Sequence, residues 1–203
     1  MDILLQQTKK NKAPLKSFIK KNFITGVLIA VVVILLLVPG AKVLVLKTFV
    51  HTGLLNAPAK KGSNIIKAGT FSLLFIDEKN EQISITALQG KVVFINFWAT
   101  WCPPCVAEMG SVNALYNKLK DDPRIVFIMA DADNNPVSSL SFMKRNGYHL
   151  PVYRIALPVS ENLFTGTIPA TLIIDARGNI VQRHEGIANY NTNDMVVFLR
   201  SLL

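Results

Sequence analysis

The hydrophobic pattern divides the chain into an apolar N-terminal stretch and a C-terminal part with short alternating runs. No residue from 22 to 41 is charged, and Lys21 and Lys42 flank this stretch. About 19 residues of α-helix rise about 28 Å, close to the thickness of a hydrocarbon core. A cleaved signal peptide would have a shorter apolar core and a small-x-small site, which Pro39-Gly40-Ala41 matches poorly. We therefore predict an uncleaved transmembrane anchor at residues 23–41.

Residues 42–70 have a mixed pattern. The apolar positions 43, 46, 50 and 54 share one face if Val43–Leu55 is helical, as in an interfacial helix. A simple continuation of the anchor helix would fit the same positions. Residues 56–69 contain Ala, Pro, Lys, Gly and Ser without an acidic residue, which indicates a linker. We predict an interfacial segment and a linker at residues 42–70.

Residues 71–203 alternate between strand-like and helix-like patterns and are enough for one hydrophobic core. Val92–Phe97 is a continuous apolar run, typical of a strand buried on both faces. The order strand–helix–strand–helix and then strand–strand–helix predicts an α/β fold with a mixed central sheet flanked by helices. The predicted elements are a hairpin at 71–76 and 82–85, a strand at 92–97, a helix at 103–119, a strand at 124–130, a helix from 135–136 to 147, a hairpin at 171–175 and 180–184, and a helix at 191–203.

The net charge of +9 is concentrated in the first third of the chain. Residues 1–70 carry eleven lysines and one acidic residue, a net +10, whereas residues 71–203 carry eleven basic and twelve acidic residues, a net −1. The near-neutral domain shows no basic stripe, which argues against nucleic acid as a partner, and the basic part suits an anionic lipid membrane. Six lysines precede the anchor and two follow it closely. The positive-inside rule therefore predicts that residues 1–22 are cytoplasmic and that residues 71–203 are periplasmic or otherwise extracytoplasmic.

Cys102 and Cys105 are the only cysteines, and they lie between the strand at 92–97 and the following helix. A C-x-x-C pair at such a position is a redox motif. Zinc would need more Cys or His ligands than this sequence brings together, and covalent haem attachment would need His in place of Val106. A purely structural disulfide would close too short a loop to stabilise the fold much. We predict redox catalysis without a metal or a cofactor.

The two cysteines are predicted to have different roles. Cys102 precedes the helix, where the helix dipole and free N–H groups favour a nucleophilic thiolate. Cys105 lies inside the first turn and would resolve the mixed disulfide. Glu108 follows three residues later on the same face, where it can receive the proton of Cys105. A solvated acid favoured by the dipole near the helix start would fit the same spacing.

The run from Asn96 to Met109, NFWATWCPPCVAEM, resembles the membrane-anchored TlpA/ResA type of thiol-disulfide oxidoreductase in the thioredoxin superfamily. The resemblance extends over residues 71–203 and implies a thioredoxin-like fold. It implies a cis peptide bond before Pro169, next to the active site, and it supports proton transfer by Glu108. Cytoplasmic thioredoxins carry a buried, titratable Asp at the position of Asn96. The Asn96 side chain cannot titrate, so Glu108 is the available carboxylate.

These observations predict a single-pass protein of the cytoplasmic membrane that reduces disulfides in exported proteins. The resemblance implies apocytochrome c as a substrate class and a membrane reductase as the electron donor. A redox-sensing or partner-binding module without turnover is the alternative. The residues that we expect to bind substrate flank the thiols or precede the last hairpin: Trp101, Pro103, Pro104, Ile168 and Pro169.

Overall fold

The computed structural model describes residues 13–203, so the predicted cytoplasmic segment 1–22 lies partly outside the described residues. The chain divides into two compact units, one ending at Lys42 and one spanning Val43–Leu203. Helix α1 covers Ala13–Leu37, and α2 covers Pro39–His51. Val38 separates the two helices because Pro39 has no N–H group with which to continue the hydrogen-bond ladder of α1.

The helix break differs from the single helix predicted for residues 23–41. The uncharged part of α1 runs from residue 22 to 37 and rises about 24 Å, less than a hydrocarbon core of about 30 Å. In the part of the chain that the structure describes, no helix is both long and apolar enough to cross a membrane. Residues 43–51, predicted as an interfacial helix or as a continuation of the anchor, lie in the separate helix α2.

The second unit contains a seven-stranded mixed sheet with the strand order β2-β1-β5-β4-β3-β6-β7. Strands β3, β4 and β5 are parallel, and the other neighbouring pairs are antiparallel. The strands are β1 (Leu74–Ile76), β2 (Gln82–Ser84), β3 (Val92–Trp98), β4 (Ile125–Asp131), β5 (Val152–Ile155), β6 (Ala170–Ile174) and β7 (Ile180–Glu185). The helices are α3 (Pro103–Leu119), α4 (Pro136–Arg145) and α5 (Asn193–Arg200), and a short 3₁₀ turn covers Ile85–Leu88.

Strand β3 forms the centre of this unit, as its apolar run predicts, and every residue in it is buried. Phe94 and Trp98 point into a core cluster to which α3, α4 and α5 contribute, whereas Ile95 and Phe97 point into a second cluster on the opposite face. The predicted α/β fold with a mixed sheet is confirmed. Strand β5 was not predicted, because it has only four residues, three of them half-buried, and follows Pro151 directly.

Residues 56–68 were predicted as a linker, but their backbone forms hydrogen bonds with β7 and with the loop after it. Ile66 exchanges backbone hydrogen bonds with Ile180, and the Gly62 N–H donates to the Val181 carbonyl over 2.7 Å. Nearer α2, the Ala57 N–H donates to the carbonyl of Asn189 over 2.9 Å. The physical reason is that β7 is an edge strand, whose outer N–H and carbonyl groups need hydrogen-bond partners that the backbone of this segment supplies.

Candidate active site

The two cysteines lie at the carboxyl end of β3, where the chain turns into α3. Cys102 is the N-cap of α3, and the Cys105 N–H donates to its Sγ over 3.3 Å. The residues are disulfide-bonded, with a Cα–Cα distance of 5.3 Å. Cys105 is completely buried, whereas Cys102 retains 3% of its exposure. Pro103 and Pro104 form the first helical positions, where their missing N–H groups cost the helix nothing.

The segment before β6 lies next to the nucleophilic position. The peptide bond between Ile168 and Pro169 is cis, as predicted. Strand β6 pairs with β3, with Phe97 opposite Ala170, so the residues before β6 reach the end of β3 where the disulfide lies. The carbonyl oxygen of Ile168 is 3.9 Å from the Sγ of Cys102. The structure therefore brings the predicted residues Ile168 and Pro169 together with the disulfide.

The two tryptophans of the motif lie in different environments. Trp98 is completely buried, and its ring packs against Phe142 at a centroid distance of 5.3 Å. Trp101 is 66% exposed, and its indole N–H donates to Asp133 over 2.5 Å. Trp98 therefore has a core role, while Trp101 presents an apolar surface beside Cys102.

Glu108 is completely buried in α3, which differs from the solvated position that the spacing also allowed. Its Oε1 accepts a hydrogen bond of 2.8 Å from the side-chain amide of Asn96. Its Oε2 accepts a hydrogen bond of 3.0 Å from the backbone N–H of Ala188. Burial raises the pKa of Glu108 from its ordinary 4.5 to about 8, although both hydrogen bonds lower it. The carboxyl group can therefore gain or lose a proton near neutral pH.

A hydrogen-bonded chain of neutral side chains continues from Asn96 across the sheet. The Asn96 amide donates to the Thr171 hydroxyl over 3.0 Å, and these residues face each other across β3 and β6. The hydroxyl of Tyr190 donates to the same Thr171 oxygen over 2.7 Å. Burial raises the pKa of Tyr190 well above its ordinary value, with a further contribution from Glu108, so the phenol stays protonated.

The loop that carries Ala188 and Tyr190 is fixed to α3 through Ser111. The Ser111 hydroxyl donates to the carbonyl of Glu108 over 2.8 Å and accepts from the Tyr190 N–H over 3.1 Å. Three neighbours of Glu108 were not predicted from the sequence: Thr171, Ala188 and Tyr190. Only the pairing of β3 with β6 brings Thr171 close, and the loop carries no motif.

The sheet topology and the cysteine pair at a helix N-terminus define a thioredoxin-like protein with dithiol–disulfide chemistry. Residues 60–196 match the Redoxin family, and the chain belongs to that family. The predicted superfamily is thereby confirmed.

Two bacterial relatives are both named thiol-disulfide oxidoreductase ResA. The protein from Bacillus thuringiensis (strain Al Hakam) is 33% identical over 111 residues, which are 53% of this chain and 62% of that relative. The chain thus spans less than two thirds of its length. The protein from Oceanobacillus iheyensis is 27% identical over 193 residues, covering 92% of this chain and 90% of the relative.

A solved structure gives the same fold. The thiol:disulfide interchange protein of the thioredoxin family from Chlorobium tepidum TLS superposes with a TM-score of 0.52 and 21% identity. The match covers 70% of this chain and 98% of that structure. This likeness supports the thioredoxin-like fold of the second unit.

Proposed function

We propose that this chain is a membrane-tethered thiol-disulfide oxidoreductase that reduces disulfides in exported proteins. The position of Cys102 carries the proposal: its sulfur caps α3 and lies 3.9 Å from the Ile168 carbonyl. A substrate peptide that pairs with the backbone of Ile168, as an added strand does, would bring its disulfide to that sulfur. Trp101, Pro103, Pro104 and Pro169 are the proposed surroundings of that peptide.

The proposed reaction transfers two electrons from the dithiol to the substrate. The thiolate of Cys102 attacks one sulfur of the substrate disulfide, whose S–S bond breaks as the mixed disulfide forms. The leaving thiolate takes a proton from water. Cys105 then gives its proton to the Glu108 carboxylate and attacks the sulfur of Cys102, which forms the disulfide seen here. The second substrate sulfur leaves as a thiolate and takes a proton from water. A membrane reductase would return the two electrons.

Glu108 suits proton exchange with Cys105 because burial raises the proton affinity of its carboxylate. Burial raises the pKa of Glu108 to about 8, so its carboxylate is a stronger base for a thiol proton than a solvated carboxylate is. Both residues are completely buried on α3, three positions apart, where neighbouring side chains lie on one face. Water has little access to Cys105, so a buried base is the available proton acceptor.

Trapping with Cys105→Ala tests the function and identifies the substrates. This variant should accumulate mixed disulfides on Cys102, because no thiol remains to resolve them. The matched variant Cys102→Ala should trap little, because Cys105 is completely buried. Apocytochrome c among the trapped proteins would support the substrate class that the family resemblance suggests. Failure of the wild type to turn over an exported disulfide protein would instead favour a redox-sensing module.

The two prolines of the motif predict a reducing protein. The Cys105 N–H donates to the Cys102 sulfur, whereas Pro103 and Pro104 have no N–H to offer a thiolate. Weaker stabilisation of the thiolate disfavours the dithiol form relative to the disulfide. We expect a potential nearer to about −270 mV than to about −120 mV in equilibration against dithiothreitol or glutathione. A potential above about −180 mV would place the protein among oxidants or isomerases.

The membrane placement is proposed from charge and exposed apolar surface. Six lysines precede the uncharged stretch, and those apolar side chains of α1 that the structure describes are exposed, with Phe23 at 70% and Leu28 at 60%. We propose that residues 23–41 anchor the chain, that the remainder of α2 lies at the membrane interface, and that the domain is extracytoplasmic.

Protease protection tests this topology. In spheroplasts of a bacterial host expressing the full chain, added protease should digest residues 71–203 while a cytoplasmic marker protein stays intact. A domain that is degraded only after lysis would reverse the topology and exclude exported proteins as substrates.

A further inference from the structure

The buried carboxyl of Glu108 has two hydrogen-bond donors, and only one of them has a fixed role. The backbone N–H of Ala188 can only donate. The Asn96 amide donates through Nδ2, while its Oδ1 is buried without a hydrogen-bond partner among the described residues. A 180° rotation of a side-chain amide about its last carbon–carbon bond exchanges the positions of its oxygen and nitrogen and leaves the shape of the group unchanged. Asn96 can therefore present a donor or an acceptor to Glu108.

The next group in the chain can adapt in the same way. A hydroxyl group donates one hydrogen bond and accepts others, so Thr171 can accept from an Asn96 N–H or donate to an Asn96 oxygen. In both cases the phenol of Tyr190 can continue to donate to the Thr171 oxygen, 2.7 Å away. The buried chain from Tyr190 to Asn96 therefore has two arrangements that need no movement of the backbone.

We propose that Asn96, Thr171 and Tyr190 form a set of positioning residues that stabilises both charge states of Glu108. The Asn96 amide turns by 180° each time Glu108 gains or loses its proton. With the carboxylate, Asn96 Nδ2 donates to both Glu108 and Thr171, as the structure shows. With the carboxylic acid, the Glu108 O–H donates to Asn96 Oδ1, to which Thr171 also donates. Without the turn, the acidic proton would face an N–H group.

The groups around Glu108 that can stabilise its carboxylate are neutral. On α3 the nearby titratable groups are the cysteines, which hold no proton in the disulfide. The loop after β7 contributes the protonated Tyr190, and β7 contributes His184 opposite Thr171, where burial lowers the histidine pKa. Strands β3 and β6 contribute Asn96 and Thr171, which carry no charge. A buried carboxyl that must ionise here depends on hydrogen bonds for stabilisation.

Nuclear magnetic resonance of the oxidised full chain in detergent micelles tests the turn directly. The side-chain amide signals of Asn96 should move with pH, with the same midpoint as the carboxyl carbon of Glu108. In Glu108→Gln the new amide donates permanently to Asn96 Oδ1, so Asn96 should keep its low-pH signals at every pH. Asn96 signals that do not follow Glu108, or that match the high-pH form in Glu108→Gln, would overturn the proposal.

Two variants of Thr171 provide a matched pair. Thr171→Val removes the hydroxyl. This destabilises the ionised form of Glu108 more than the protonated form, because the hydrogen bonds of the carboxylate are charge-assisted. The Glu108 midpoint should therefore rise by about half a pH unit in Thr171→Val and stay unchanged in Thr171→Ser. Equal midpoints in both variants would remove Thr171 from the set.

The inference rests on the proposed function only for its consequence in catalysis. These measurements need no substrate, so they decide the coupling between Asn96 and Glu108 even if Glu108 is not the proton acceptor. Loss of mixed-disulfide resolution in Glu108→Gln, together with wild-type Asn96 signals that do not shift with pH, would keep the proposed function and overturn this inference.

Discussion

Changing Glu108 to glutamine is expected to slow release of substrate from the mixed disulfide by about 10²–10⁴-fold near pH 8. Glutamine keeps the shape of the side chain but cannot take the proton of Cys105, and the hydrogen-bond partners of Glu108, an amide and a backbone N–H, cannot replace it as a base. The first attack by Cys102 should keep its rate. Rapid mixing of the reduced protein with a fluorescent disulfide peptide would resolve both steps.

The wild-type resolving step should also accelerate with pH up to about 8, as Glu108 ionises, and this dependence should vanish in Glu108→Gln. Glu78→Gln is the matched control, because Glu78 is exposed on the turn between β1 and β2. A slowing of less than about threefold in Glu108→Gln would leave the carboxyl with a structural role alone.

The chemistry of the site could be predicted from sequence because its parts are adjacent in the chain. The apolar run of β3, the two cysteines and the helix start follow one another within a few residues, and each local pattern has one dominant physical interpretation. Glu108 was found through its spacing in the same helix. The burial of its side chain was not evident, since an acid in a first or second helical turn is equally compatible with solvent.

The surroundings of Glu108 could not be predicted because they depend on contacts between distant residues. Thr171 reaches Asn96 only through the antiparallel register of β3 and β6. Tyr190 and Ala188 come from a loop without regular structure, and Ser111 is one of several serines with no distinguishing pattern. Periodicity reports which side of an element is buried, but it does not report which buried polar groups meet.

The segment at residues 56–68 shows a further limit of composition. Its alanines, lysines, proline and glycine indicate a linker, yet its backbone forms hydrogen bonds along the edge of β7 and to the loop at Asn189. Asn189 lies between Ala188 and Tyr190, which both contribute to the surroundings of Glu108. The segment therefore supports the loop that positions the buried acid, a role carried by backbone groups that composition does not reveal.

The folding stability of the oxidised chain is expected to fall by roughly 2 kcal/mol between pH 6.5 and 9, and to stay nearly constant in Glu108→Gln. The pKa of Glu108 is about 8 in the folded chain and about 4.5 in the unfolded chain. Between these values the folded chain holds a proton that the unfolded chain has lost, so the contribution of Glu108 to stability is greatest below pH 4.5 and declines as pH rises through 8.

Urea unfolding of the full chain in detergent, followed by tryptophan fluorescence, would measure this decline. The window above pH 6.5 avoids His184, whose pKa burial lowers and whose protonation changes stability only at lower pH. The disulfide keeps both cysteines from titrating, so Glu108 dominates the expected change. A wild type as flat as Glu108→Gln would mean that Glu108 is ionised in the folded chain at neutral pH, and the raised proton affinity on which its exchange with Cys105 depends would then have to be abandoned.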